Sequence, residues 1–378
     1  MIVGPRLACG VQSVRAGSMI ACLVCSVVLG AAAARADTPP NVWDAAVDTS
    51  VRDQWKLHVR IQRLLAPTRA EDDAPPESRL NLELRLETAR AMLEQADAAH
   101  SPDVRLRFDL GFVYYGLAER QGTDQLYQKA IDVLVPALDA SPDHPAATEA
   151  LATLVYAYAK LNRPREELTA WRRYIPRLVD DRSRVVAMMN MGEAEMRLGQ
   201  IDDALGTFRE VLRLCGELPN TSSVSQTYVL GLWDVAIALD RSGDPHGALD
   251  AAGQARRMVV GVDAAGRPVT GSALIASDPT VFFVPPWERE WYLALDAMAA
   301  AHDARDPVAV ATAWAEAERH WDTYVDRSAA MGGTDPFLPV ARVRLHQAHD
   351  RRATADQVAA RLARRPQSRG RAIEDWDR

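Results

Sequence analysis

The chain has 378 residues and a formal charge of −7, from 44 basic and 51 acidic side chains. That balance excludes a general nucleic-acid binder, which needs a basic face to neutralise phosphates. Three of the four cysteines (Cys9, Cys22, Cys25) lie in the first 36 residues, so the remainder, with Cys215 alone, excludes an internal disulfide.

The first segment, 1–36, reads as an export signal. Arg6 and Arg15 sit in an acid-free leader before the apolar run Met19–Ala34, and Ala34-Arg35-Ala36 forms a small-x-small cleavage site. Cleavage after Ala36 and a periplasmic location are expected. The alternatives are secretion or an anchor made by an uncleaved leader, although the run is shorter than the about 20 residues of a spanning helix. Cys22 lies inside the apolar run rather than after it, which argues against lipidation. Loss of the leader leaves 41 basic and 51 acidic residues.

Residues 37–78 carry one expected helix, Val51–Leu65, with apolar residues at Val51, Trp55, Val59, Leu64 and Leu65, ending before Pro67. From 79 to 258 helical spacing recurs over Leu80–Ala99, Arg107–Leu117, Leu126–Ala140, Glu149–Leu161, Arg165–Val179, Val185–Leu198, Ile201–Leu214, Tyr228–Arg241 and His246–Val259, with Gly, Asn and Pro at the turns. Between 259 and 286 the pattern changes. Val259–Val269 surrounds an Asp-Ala-Ala-Gly turn, and Thr280–Val284 is a short apolar run, so strands are expected here. This insertion is either a flap over the helical flank or a recognition element. A further helix pair, Trp287–Asp303 and Pro307–Arg327, occupies 287–330. The last segment, 331–378, reads as a basic tail with a short helix from Thr354 to Arg364, and such a tail could contact anionic lipid.

A small residue recurs about twelve positions before an alanine-like one, most clearly at Gly192, Ala204 and Phe208. Leu110-Gly111, Tyr114, Ala130, Leu134 and Pro142 form another copy; Leu154, Tyr158 and Trp171 belong to the next, with Glu167 where alanine is usual. The arrangement resembles the tetratricopeptide repeat family, best over Val104–Arg257. Equivalent positions Gly111, Val155, Gly192 and Ala236 are 44, 37 and 44 residues apart, longer than the family's 34, and Met298 follows after 62. The resemblance implies an all-α fold: a right-handed superhelical solenoid of antiparallel helix pairs with a short strand-like insertion near 259–284.

Function is expected to be binding. The chain has no His-Glu-x-x-His, paired Cys-x-x-Cys, phosphate-cradling glycine loop or nucleophile elbow, and the one close histidine pair, His346 and His349, lies among arginines. No cofactor, metal site or catalytic residue is expected. In the family, inner helices line a concave groove. Carried to matching positions, that implies Phe108, Phe112, Tyr115, Tyr156, Lys160, Met189, Glu193, Arg197, Trp233, Ile237 and Arg241 as a peptide- or protein-binding surface, with Trp233 as its anchor. The expected role is a periplasmic interaction scaffold in a cell-envelope assembly, holding a peptide segment or envelope protein. A wall-active enzyme, or its helical accessory subunit, is the alternative.

Overall fold

A computed structural model describes residues 2–3, 49–66, 77–263, 265–278, 281–332 and 335–364. Of residues 1–36 only β1 (Ile2–Val3) is described, so the apolar run and the cleavage site expected there lie outside the described residues, as does the tail beyond 364. Among the described residues no helix is long and apolar enough to cross a membrane.

The fold is all-α, built from antiparallel helix pairs. In chain order the helices are α1 (Thr49–Leu65), α2 (Glu77–Gln95), α3 (Val104–Gln121), α4 (Asp124–Ala140), α5 (Ala147–Lys160), α6 (Pro164–Tyr174), α7 (Asp181–Arg197), α8 (Ile201–Glu217), α9 (Ser222–Ser242) and α10 (Pro245–Arg257). After the insertion come α12 (Glu288–Asp303), α13 (Pro307–Ala330) and α14 (Leu338–Ala363). Helix starts share a local code. Asp103, Asp180, Asp244 and Asp306 each accept a backbone N–H of the first turn, at 3.1, 2.8, 2.9 and 3.0 Å. Pro164, Pro245 and Pro307 hold first-turn positions where no N–H is needed.

The chain divides into two compact units. The first carries α1–α7, and the second holds α8 through Gly216 and α9–α14 from Val224. In the first, successive helices pack in series, and α3 also touches α5. The α3–α4 pair shows why the repeat demands small residues: a Cβ at Gly111 would lie 2.4 Å from both Cγ and Cδ2 of the buried Leu134. Gly111→Ala should therefore overpack this pair and lower unfolding free energy by about 1–3 kcal/mol. In Gly206→Ala the new methyl meets nothing within 4 Å, and the variant should gain about 0.5–1 kcal/mol as a helix-interior glycine is removed. Urea unfolding of the two variants side by side checks both signs.

In the second unit α12 packs on α10 and α13, and α13 on α14. Its core is aromatic. Trp291 lies 5.0 Å from both Trp321 and Tyr324, each ring meeting the others edge-on, a favourable arrangement of ring quadrupoles.

The insertion contains the expected strands and something more. β2 (Val259–Val262) pairs antiparallel with β3 (Pro268–Thr270), Val262 opposite Pro268, and β4 (Val281–Phe282) follows. Between β3 and β4, however, Gly271–Ser277 forms a helix, α11, which the strand reading did not anticipate. Thr270 caps it by accepting the Ala273 N–H, and Leu274 and Ile275 bury one side against the unit. The C-terminal reading also changes. The short helix expected from Thr354 begins at Leu338, and over its 26 residues it packs along α13 with Leu338, Ala341, Arg344, Ala348 and Ala355 buried. Its many arginines concealed a helix whose buried stripe is mostly alanine.

Candidate functional site

The residues carried over from the family register separate by burial. In the first unit, Phe112 and Tyr115 on α3 are half-buried, Lys160 ends α5 exposed, and Arg197 ends α7 half-buried. Phe108, Tyr156, Met189 and Glu193 are buried. Phe108 stacks between Phe112 and His144, with centroids 6.3 and 4.9 Å away, and Tyr156 meets Trp171 edge-on at 5.9 Å. These four are packing residues of the helix pairs and present little surface to a partner.

Around the accessible members the structure adds two residues that the register did not name. The Tyr127 hydroxyl donates to Glu119 Oε1 at 2.6 Å, and the Lys160 ammonium stands 3.8 Å from that same oxygen. The Tyr115 ring lies edge-on to Tyr127 at 5.9 Å. Burial, and after it the charge of Glu119, holds the Tyr115 hydroxyl well above the usual phenol range, so it stays a proton donor. The half-buried rings of Phe112 and Tyr115, a carboxylate and an ammonium thus share one surface spanning α3 and α5, with the buried Tyr127 of α4 holding the carboxylate. It can stack against a side chain and both donate to and accept from a backbone.

Glu167, the departure from alanine in the repeat, is fully buried on α6. Arg197 donates to its Oε2 at 2.5 Å and Trp171 Nε1 to its Oε1 at 3.1 Å. Burial nonetheless raises the carboxyl pKa, the cost of desolvation outweighing those favourable contacts. Arg197 therefore serves an internal ion pair between α6 and α7.

The three carried-over residues of the second unit are interior. Trp233 and Ile237 have no exposed surface, and Arg241 is 7% exposed. The Trp233 indole donates to the Gly271 carbonyl at 3.2 Å, so the insertion lies directly over the residue expected to be the anchor. Arg241 pairs with the buried Glu288, and its guanidinium lies over the rings of Trp291 and Phe337 at 4.4 and 4.1 Å. Beside it Asp240 accepts from Arg344 Nε at 2.7 Å and from Trp291 Nε1 at 3.0 Å. Asp234 accepts the Tyr292 hydroxyl at 2.9 Å, and burial pushes its carboxyl up to about 7. Sequence reasoning missed this network because its members come from α9, α12 and α14. The one local signal was a density of aromatic and charged residues after 287 that exceeds what a frayed flank requires.

Two other features belong to the second unit. A cavity of about 250 Å³ in the insertion is lined by Ile275–Asp278, Val281, Phe283 and Arg289. His346 and His349 are exposed, and His349 Nδ1 faces Glu318 at 2.9 Å. Among the described residues no group of three His, Cys, Asp or Glu side chains is placed to hold a metal.

No protein-family model matches the chain, and no curated protein matches it by sequence. Solved structures show similarity at low identity. A signal-transduction ATPase with numerous domains, with a tetratricopeptide repeat sensor, from Pyrococcus horikoshii aligns over 85% of this chain and 47% of its own, at 12% identity and a TM-score of 0.44. This chain thus spans less than half of that protein. A Rap protein complexed with competence and sporulation factor aligns over 74% of this chain and 72% of its own, at 12% identity and a TM-score of 0.34. The apo quorum sensor NprR from B. thuringiensis aligns over 84% of each, at 11% identity and a TM-score of 0.39.

Proposed function

We propose that this chain is a protein-interaction scaffold of the bacterial cell envelope, exported to the periplasm, and that it holds a peptide segment of a partner protein against α3 and α5 of its first unit. The observation that carries the reading is the surface made by Phe112, Tyr115, Lys160 and Glu119, the last held by the buried Tyr127. It combines half-buried aromatic rings with unlike charges, the composition of surfaces that carry binding energy. The leader, with its apolar run and small-x-small site, supports export.

The test compares the chain from Asp37 onward with its Phe112→Ala/Tyr115→Ala variant, in recovery of partners from envelope extract and in thermal midpoint. Recovery per folded molecule should fall about thirtyfold, corresponding to about 2 kcal/mol of lost anchor contact. Unchanged recovery would end the assignment of this surface. The N-terminal residue of the protein isolated from a periplasmic fraction tests export: Asp37 is expected, and a cytoplasmic chain retaining Arg6 would overturn it.

A further inference from the structure

Charge is unevenly placed along the chain. Between Leu338 and Arg364 stand six arginines and two aspartates, whereas the rest of the chain carries 38 basic and 49 acidic residues. The last helix, α14, is therefore a positive element on an otherwise acidic chain. Two of its arginines are engaged within the unit: Arg344 with the buried Asp240, and Arg352 with Glu318 of α13 at 3.0 Å and Asp356 at 3.6 Å. Asp350 faces His346 at 3.5 Å. Arg342, Arg351, Arg361 and Arg364 are exposed, and among the described residues no carboxylate pairs with any of them.

The same helix leaves apolar side chains uncovered. Its first half packs along α13 through Leu338, Ala341, Arg344 and Ala348, but beyond His349, among the described residues, only Ala355 is buried. Val343, Val358 and Leu362 are 54%, 42% and 45% exposed. At about 100° per residue, Val343, Arg351, Val358, Arg361 and Leu362 fall within about 100° of arc. Aliphatic side chains and unpaired guanidiniums thus alternate along one stripe. The bonds from His349 and Arg352 to Glu318 align α14 antiparallel to α13. Val308, ten residues before Glu318, is thereby level with Leu362, ten after Arg352. It is itself exposed, so a fourth aliphatic side chain stands at the same end of the helix pair.

We propose that this stripe of α14 rests on an anionic lipid surface, with its arginines among the headgroups and its aliphatic side chains just beneath them. The stripe is the exposed side of a single helix, and none of its members is aromatic. Protein interfaces are built around aromatic or arginine anchors desolvated in a pocket, and they carry few charges at the centre. A headgroup layer needs no pocket. It receives long cationic side chains that snorkel while aliphatic ones insert. Each arginine held at an anionic surface strengthens attachment about fivefold, so four unpaired ones outweigh the modest apolar area. Such a helix lies on a membrane and does not span it, in keeping with its many charges.

Cosedimentation of the isolated protein, in the form the cell produces, with lipid vesicles tests the proposal. Vesicles of about 30% phosphatidylglycerol in phosphatidylcholine should hold it, and vesicles of phosphatidylcholine alone should not. Raising salt from about 0.1 M to about 1 M shortens the Debye length from ~10 to ~3 Å and should release most of it. Arg351→Gln/Arg361→Gln/Arg364→Gln should weaken the partition about a hundredfold, near fivefold for each charge. Val358→Ser/Leu362→Ser should weaken it about tenfold through lost insertion. All five side chains are exposed, so both variants should keep the parent's thermal midpoint. The Phe112→Ala/Tyr115→Ala variant should keep full vesicle binding, which separates this surface from the one on α3 and α5. Equal binding to both kinds of vesicle, or full binding by the arginine variant, overturns the proposal. So does a serine variant that binds like the parent, which reduces the attraction to charge alone. Loss of partner recovery from envelope extract in these variants, with vesicle binding unchanged, assigns the stripe to a protein and likewise overturns it.

Discussion

Trp233→Ala should lower the unfolding free energy by about 3–5 kcal/mol, and partner recovery per folded molecule should not change. The indole is completely buried on α9, and its N–H is bonded to the Gly271 carbonyl. Truncation therefore opens a large cavity and leaves a buried carbonyl without its donor, two costs that add. Chain packing at the other end of that bond leaves no room for relaxation. A Cβ at Gly271 would lie 2.0 Å from the Ala255 carbonyl oxygen and 2.8 Å from Val229. The insertion thus meets the backbone of α10 and the Val229 side chain of α9 with no space between. Chemical denaturation and recovery measured on the same samples separate a structural tryptophan from an exposed anchor. A neutral midpoint with lost recovery would contradict the burial described here.

Arg344→Met should be comparably severe, at about 3–5 kcal/mol, because it strands the Asp240 carboxylate in the interior. Arg344 and Asp240 side chains are 6% and 1% exposed, and only the Trp291 N–H would remain on the acid. Adding Asp240→Asn to Arg344→Met should recover part of the loss, since a neutral amide costs less to bury than an unpaired charge. Arg342→Met, two residues earlier on the exposed side of the same helix, should stay within about 0.5 kcal/mol. Equal effects at 342 and 344 would mean that the buried pair does not carry the attachment of α14.

What the sequence disclosed and what it hid follow from the range of the forces involved. Helix periodicity, aspartate caps and first-turn prolines are local, and they marked every helix from α3 to α10, with ends displaced by up to six residues where α9 begins at Ser222 rather than Tyr228. The requirement for a small residue at Gly111 is likewise legible from the repeat pattern, although its partner Leu134 stands 23 residues on, beyond a longer turn than the 16 from Gly192 to Phe208. The buried or exposed state of an inner-helix residue is a different kind of fact, since it depends on what distant segments cover. Trp233 and Arg241 occupy repeat positions that would face a groove in a bare array. Here Gly271 lies over the first, and Glu288, Trp291 and Phe337 surround the second. No spacing rule announces those contacts. Glu167 shows the reverse case: as a misfit to the repeat it was visible, but its partner Arg197, thirty residues away, was assigned to a surface instead.

Arrays in which each helix pair touches only its neighbours fray from their ends, and their outermost pair can melt while the rest persists. The bond from Arg344 to Asp240 spans 104 residues and joins the last helix of the second unit to α9. Its geometry removes the free end: α14 cannot peel away without exposing the interior acid that also holds Trp291. The second unit is thereby closed on itself, and its final helix melts with α9 in one cooperative step, not as the first fringe of a zipper.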